Sequence, residues 1–411
     1  MDSHESSPQG GRSRIGRLRA FLTNDHRYVL LGTSVVAFAG MLLSSQPRPA
    51  LSFLARAYTL EVVMYYLLVA WLVLSAVALV FKLTHWRTYA ERAPFVRPAV
   101  RRALRYASYV VWLIVAVLAV DRLVMGLASA WAVATTASSR PVDNALESAL
   151  YMLYQGRQTF ITGITTTIVL AVFGTILAFF LALLLAFCRI QVPDRSDNDF
   201  VRFWKVVGAD FARVYSTIVR GTPMMVQAGI IFFGGVAILR GAGLTTASIN
   251  VVWSPFIAGF VTITFNSTAY MMEVLRGGIE SVDPGQTEAA RSLGLSQWQA
   301  MRTVVFPQGI KYAIPGLSNE LVVNIKDSSV LSVIGTFDLM FATDSIAGIY
   351  YQQLQANMIA AVAYLALTMI ATKLLGMFSK RLSAQTGPVV VMSDSTVQAE
   401  MLKPQHDRGD V

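Results

Sequence analysis

Residues Thr159 to Phe187 read TFITGITTTIVLAVFGTILAFFLALLLAF, twenty-nine consecutive positions without a charge. A helix needs roughly 20 mostly apolar residues to cross a bilayer, and this stretch exceeds that. Seven further stretches qualify, at approximately 28–45, 60–81, 108–132, 218–239, 250–274, 317–338 and 356–378. The expected fold is therefore all-α, a polytopic membrane protein with about eight transmembrane helices. The chain-wide composition agrees. Of 411 residues, 55% are hydrophobic and 14% charged, where a soluble chain carries about a quarter charged residues. A soluble enzyme is excluded on that ground.

Catalytic chemistry is also poorly provided for. Cys188 is the one cysteine, so no internal disulfide and no thiolate metal site is expected. His4, His26, His85 and His406 are scattered along the chain and suggest no metal cluster. There is no G-x-x-x-x-G-K-[ST] phosphate loop. The chain is not expected to be an enzyme, to carry a cofactor, or to hydrolyse ATP with its own residues.

The first apolar stretch is barely long enough to span, and Arg12, Arg14, Arg17 and Arg19 precede it. A basic start before an apolar run also describes a signal peptide. Its exit, S-S-Q-P-R-P, offers no small-x-small cleavage site, so a retained anchor is expected. Lysines and arginines then orient the rest. Alternate connections starting from the N-terminus hold 27 of the 34, the opposite connections hold 5, and Arg122 and Lys326 fall inside spans. Both termini and the 276–312 loop are therefore expected in the cytoplasm, in an inner or plasma membrane. The net charge of +10 reads as topology signal rather than as a nucleic-acid surface. The cluster Arg97, Arg101, Arg102 and Arg105 is an expected contact for anionic membrane lipid. Three parts follow. Residues 1–145 form an extension with three spans, 150–385 a five-span block, and 386–411 a polar tail expected to be disordered.

The loop at 276–312 carries the most information. Asp283-Pro284-Gly285 is a breaker, and Thr287-Glu288-Ala289-Ala290 is expected to start a helix. Gly294 suits a left-handed C-terminal cap. Ser296 should cap a second helix over 297–305, stopped by Pro307. A plain linker between spans would not need two capped helices, a Leu293/Leu295 pair and Trp298.

E-A-A-R-S-L-G from Glu288 to Gly294, followed by F-P-Q from Phe306 to Gln308, resembles the EAA loop of ABC importer permeases. Three more segments point to the polar amino-acid permeases: R-G-T-P-M-M-V-Q (Arg220 to Gln227), N-S-T-A-Y-M-M-E-V-L-R-G-G (Asn266 to Gly278) and N-E-L-V-V-N-I-K-D-S-S (Asn319 to Ser329). All four occur in the family's order within about 150–385; the extension lies outside the resemblance. The resemblance implies a permease subunit of an ATP-driven importer for polar amino acids. It implies ATP-binding ABC subunits, a second permease subunit and an extracytoplasmic amino-acid-binding protein as partners. It also implies that the helix carrying Glu288, Ala289, Ala290 and Gly294 is the coupling helix that docks into a cleft on the ATPase.

Inside the seventh span lie Glu320, Lys326 and Asp327, each costing roughly 2.5–3.5 kcal/mol near a bilayer centre. Glu320, Asn324 and Asp327 share a helix face, with Lys326 roughly 100° from Asp327. A pocket for a zwitterion is one reading, with Lys326 on the carboxylate and Glu320 or Asp327 on the ammonium. An internal salt bridge is the other. The candidate substrate-binding set is Glu320, Asn324, Lys326, Asp327 and Ser328, and the resemblance agrees. Asn266, Tyr270 and Glu273 form a second stripe, either pore-lining or bonding between helices. Arg220 to Pro223 reads as a helix entry near the cytoplasmic face. Asp121 and Arg122 do not face each other on a regular helix, so each is expected to find a partner on another span. The rival function is a stand-alone secondary transporter or channel, which would leave the 276–312 loop unexplained.

Overall fold

The computed structural model describes residues 31–85, 94–193 and 197–384, and every regular element among them is helical. The basic N-terminus and the tail expected to be disordered lie outside the described residues. The chain divides into two compact units, with the boundary between Tyr151 and Met152.

The first unit contains α1 (Leu31–Ser45), α2 (Tyr58–Thr84) and α3 (Pro98–Ala119), the last running through a π-helical turn (Val120–Val124) into α4 (Met125–Thr136). Pro98 opens α3 at a position whose N–H needs no helical partner. Leu68, Trp71, Ile114 and Leu118 pack inward. Four charged residues are buried here: Glu61, Lys82, Asp121 and Arg122. The Arg122 guanidinium pairs with Glu61, as the need for a partner on another span requires, but it also pairs with its neighbour Asp121. A regular helix holds adjacent side chains apart, and the π turn at Val120–Val124 departs from that geometry. Arg48 reaches Glu61 at 2.8 Å. Asp121 also accepts from the Ser52 hydroxyl at 2.9 Å and the Leu54 N–H at 3.2 Å, fastening the connection between α1 and α2.

α5 (Ala145–Gln155) leads into the second unit. Its elements are α6 (Arg157–Ile190), α7 (Asp199–Gly221), α8 (Met224–Gly241), α9 (Thr246–Val252) and α10 (Pro255–Glu280), then α11 (Pro284–Ser292), α12 (Gln297–Ala300), α13 (Phe306–Asp327), α14 (Leu339–Tyr350) and α15 (Gln353–Ala384). α6 and α10 form its centre. Gly174 of α6 lies against Ile263 so closely that a Cβ would meet it at 2.8 Å. Ala178, Ala182 and Ala186 continue that face toward Met271, Met272 and Leu275. Small residues let membrane helices approach where no hydrophobic driving force exists between them.

Among the described residues five helices are long and apolar enough to cross a membrane, or up to seven spans if each bent pair counts as one. α9–α10 bends by 43°, and the path from Gln297 through α13 to α14 bends by 53°. The 15-residue α1 is a shorter apolar helix. Much of the expected basic loop 189–220 is instead the 23-residue α7, capped by Asn198, whose side chain accepts from the Val201 N–H. Its apolar residues form one face rather than a continuous run, with Arg202, Lys205, Asp210 and Arg213 on the same helix. Ala212 packs into the cluster formed by α6 and α10.

Candidate functional site

α7 ends at Gly221, and Thr222-Pro223 separates it from α8. Gln227, one turn into α8, ties this break together. Its amide N–H group donates to the Val219 carbonyl at 2.7 Å, the Thr222 carbonyl at 3.0 Å and the Thr222 hydroxyl at 2.8 Å. Its carbonyl oxygen accepts from Asn266 of α10 at 3.0 Å. Asn324 of α13 makes the parallel link, accepting from Ser267 at 2.8 Å and donating to Thr175 of α6 at 2.7 Å. Thr175 lies near the middle of α6 and Asn266 near the middle of α10. The Arg220–Pro223 break therefore sits level with the middle of α6 and α10. Broken helices inside a membrane are tolerated where the freed backbone groups are satisfied or line a cavity.

A half-open cavity of about 530 Å³ occupies this level, within the roughly 300–1,000 Å³ of small-molecule sites. It is lined by Arg220 to Met224, by Asn266 and Tyr270 of α10, and by Glu320, Val323, Asn324 and Asp327 of α13. The shared face of Glu320, Asn324 and Asp327 is thus the lining face. Lys326 and Ser328 are not among the lining residues. Lys326 is exposed elsewhere on the helix, and Ser328 is fully buried, its hydroxyl donating to the Ile325 carbonyl at 3.0 Å. Arg220 was read only as part of a helix entry. Its guanidinium carbon lies 5.4 Å from the Tyr270 ring centroid, within cation–π range. The clue in the sequence was an arginine directly before a Gly-Thr-Pro break. Among the described residues, none of Arg220, Glu320, Lys326 and Asp327 takes part in an ion pair. Glu273 leaves the stripe it was grouped with: it pairs with Arg276 at 2.8 Å and accepts from Ser216 at 3.2 Å.

The loop at the other end of α13 begins earlier than its sequence suggested. Asp283 is the N-cap of α11, accepting from the Gly285 N–H, with Pro284 in the first turn. The Asp-Pro-Gly breaker is therefore the helix start. Glu288 and Ala289 are exposed, while Ala290 is buried. Gly294 has φ +87° with open space where a Cβ would stand. Ser296 forms a reciprocal capping box with Gln299. Pro307 does not stop the second helix. A π turn at Met301–Val305 precedes it, and Pro307 falls in the first turn of α13. A proline lacks the N–H and crowds the carbonyl four residues back; at a helix start after a π turn that conflict is reduced. The path from Ser296 to the cavity is thereby continuous.

The family of binding-protein-dependent transport system inner membrane components matches residues 200–384. The putative glutamine transport system permease protein GlnP of Rickettsia typhi is 32% identical over 222 residues, covering 54% of this chain and 92% of that protein. The chain belongs to this family. The permease is also 32% identical over 186 residues to the L-cystine transport system permease protein TcyL of Bacillus subtilis, covering 45% of this chain and 76% of TcyL. For the arginine transport system permease protein ArtQ of the same organism, identity is 31% over 210 residues, 51% of this chain and 86% of ArtQ. A crystal structure of an amino acid ABC transporter with histidines matches at 32% identity and TM-score 0.48, over 59% of this chain and all of that chain. The protein is a multi-pass membrane permease of ABC importer type, and membership implies ATP-binding and substrate-binding partners. A transporter working alone is not favoured.

Proposed function

We propose that this permease moves a polar amino acid through the cavity between α7, α10 and α13, driven by ATP hydrolysis in partner subunits. The observation that carries the reading is chemical. Two carboxylates, Glu320 and Asp327, and one guanidinium, Arg220, line one cavity, and among the described residues none of them takes part in an ion pair. Each is costly to place within a bilayer, about 2.5–3.5 kcal/mol on insertion scales. A zwitterion supplies what they lack. Its carboxylate suits Arg220 on the Tyr270 ring, and its ammonium suits Glu320 or Asp327. With one acid left over, a substrate bearing a second positive group is the best fit. Asn324 holds the site-bearing face of α13 to α6 and α10 rather than serving as the first contact. Lys326 and Ser328 have no place in this binding scheme.

Coupling runs along the chain itself. Glu288, Ala289 and the Gly294 cap offer an exposed element to the ATPase, and the helical path from Gln297 carries its displacement to Glu320 and Asp327. Both termini are assigned to the cytoplasm from the arginine and lysine asymmetry. A second permease subunit completes the half-open cavity, and anionic lipid meets the arginines at the start of α3. The test is to reconstitute the permease with its ATPase and binding protein and screen amino acids for stimulated ATP hydrolysis. Stimulation by polar amino acids, strongest for basic ones, is expected. Stimulation by sugars or inorganic ions alone would contradict the assignment.

A further inference from the structure

Asp338 is fully buried, and among the described residues it has no basic partner. It takes no part in the cavity, so the transport site does not account for it. It stands where the path from α13 ends and α14 begins. A 3₁₀ segment, Ser328–Ile334, closes α13 and ends at Gly335, with φ +85°. The nearest atom to a Cβ at Gly335 would be Pro255 Cγ at 3.9 Å. The backbone conformation rather than space calls for glycine there. A 3₁₀ stretch within a helical path is a recurrent hinge feature.

Beyond the bend, α14 is pinned. Asp338 caps it, its carboxylate accepting from the Phe341 N–H at 2.9 Å. The Tyr364 hydroxyl of α15 stands 3.5 Å from the other carboxylate oxygen. The Thr167 hydroxyl of α6 takes the Leu339 N–H at 3.1 Å. Before the cap, Thr336 donates to the Pro255 carbonyl at 2.8 Å. Gly156, the N-cap of α6, and Gly163 within it then admit α14 closely. A Cβ at Gly163 would lie 2.8 Å from the Asp338 carbonyl oxygen, and one at Gly156 would lie 2.7 Å from Ile346. α14 thus packs along the opening turns of α6. The coupling loop packs near the other end of α6, beside Ile190.

We propose that Asp338 is a positioning residue for translocation: it fixes α14 as the wall beyond the cavity, with Gly335 the joint at which the moving α13 meets it. The inference rests on the transport reading above. Its chemistry is hydrogen-bond acceptance at a helix start, which an amide oxygen also supplies and an alkyl group does not.

The test uses the full complex in proteoliposomes and compares Asp338→Asn, Asp338→Leu and Tyr364→Phe, with Glu320→Gln alongside. Assembly, basal ATP hydrolysis, and the KM and maximal rate of amino-acid uptake are measured for each. Asp338→Asn should transport nearly as wild type. Asp338→Leu should assemble and hydrolyse ATP at the basal rate, with maximal uptake down about tenfold or more and KM little changed. Tyr364→Phe should fall between them. Wild-type uptake by an assembled Asp338→Leu complex would overturn the proposal. So would an Asn variant as impaired as the Leu variant, because the charge and not the cap would then matter. If Asp338→Leu fails to assemble, Tyr364→Phe decides in its place: a lowered maximal rate in an assembled complex supports the proposal, and a wild-type maximal rate overturns it. Glu320→Gln separates the two ideas, since a wild-type KM there removes the cavity reading without touching this one.

Discussion

At the scale of single residues, the cavity divides its polar groups into those already satisfied and those left open. Asn324 and Gln227 commit their amides to neighbouring helices, whereas among the described residues Arg220, Glu320 and Asp327 make no ion pair. Substitution should separate them. Asn324→Leu strands the Thr175 and Ser267 hydroxyls and should lower stability by about 1–3 kcal/mol, read as a lower unfolding temperature of the purified complex. Arg220→Met and Glu320→Gln should leave that temperature near wild type and raise the KM for uptake. Lys326→Met should disturb uptake less than either, and equal or greater loss at Lys326 would return that residue to the site. In the first unit, Arg122→Met leaves Glu61 and Asp121 buried without their shared cation. A cost of about 3–5 kcal/mol is expected, seen as poor yield and a lower unfolding temperature. The Glu320–Asn324–Asp327 face was legible because charges in an apolar run are few and helix spacing aligns them. The Arg122–Asp121 pair was not, because it depends on a π turn that no residue type announces.

Helices and their junctions show a similar division. The cap at Gly294 could be read in advance, since a glycine after a short polar helix and before Ser296 fits a left-handed residue. Gly294 has φ +87° with open space around it. Gly294→Val should therefore cost backbone strain alone, about 1–2 kcal/mol, and loosen coupling without unfolding the spans. The measurement is uptake per ATP hydrolysed, which should fall while assembly persists. An unchanged ratio would mean that this loop does not couple. α7 escaped the hydropathy reading for a physical reason. A helix with one apolar face and a charged one has too low a mean hydropathy to register as a span; in α7 Ala212, Ser216 and Val219 are buried, while Phe203, Trp204, Phe211 and Ile218 stay exposed. Pro307 misled for the opposite reason: proline stops a helix interior but is at home in the first turn, and the π turn before it made that position a first turn.

Across the whole molecule, the family match at residues 200–384 falls in the second unit. The first unit has its own core and its own buried charges. A permease lacking residues 1–145 should thus retain substrate-stimulated ATP hydrolysis when assembled with its partners, and complete loss in an assembled complex would assign the extension a part in transport. Orientation is testable in a Cys188→Ser background. A cysteine placed within 285–295 should label from the cytoplasmic side, and one within 137–146 from the opposite side. The lysine and arginine bias that predicts this was plain from the residues because it is a property of connections, not of packing. The cavity was only half visible, since its α7 and α10 walls come from segments distant in sequence.

The most direct test of the central claim is equilibrium binding of a radiolabelled basic amino acid to the purified permease–ATPase complex, without the binding protein. Wild type and the Glu320→Gln/Asp327→Asn double variant would be compared at matched assembly. Saturable binding to the wild type, weakened by at least about tenfold in the double variant, is the predicted result, since each lost charged contact is worth roughly 1.5–3 kcal/mol. Equal affinity in the two complexes would contradict the account.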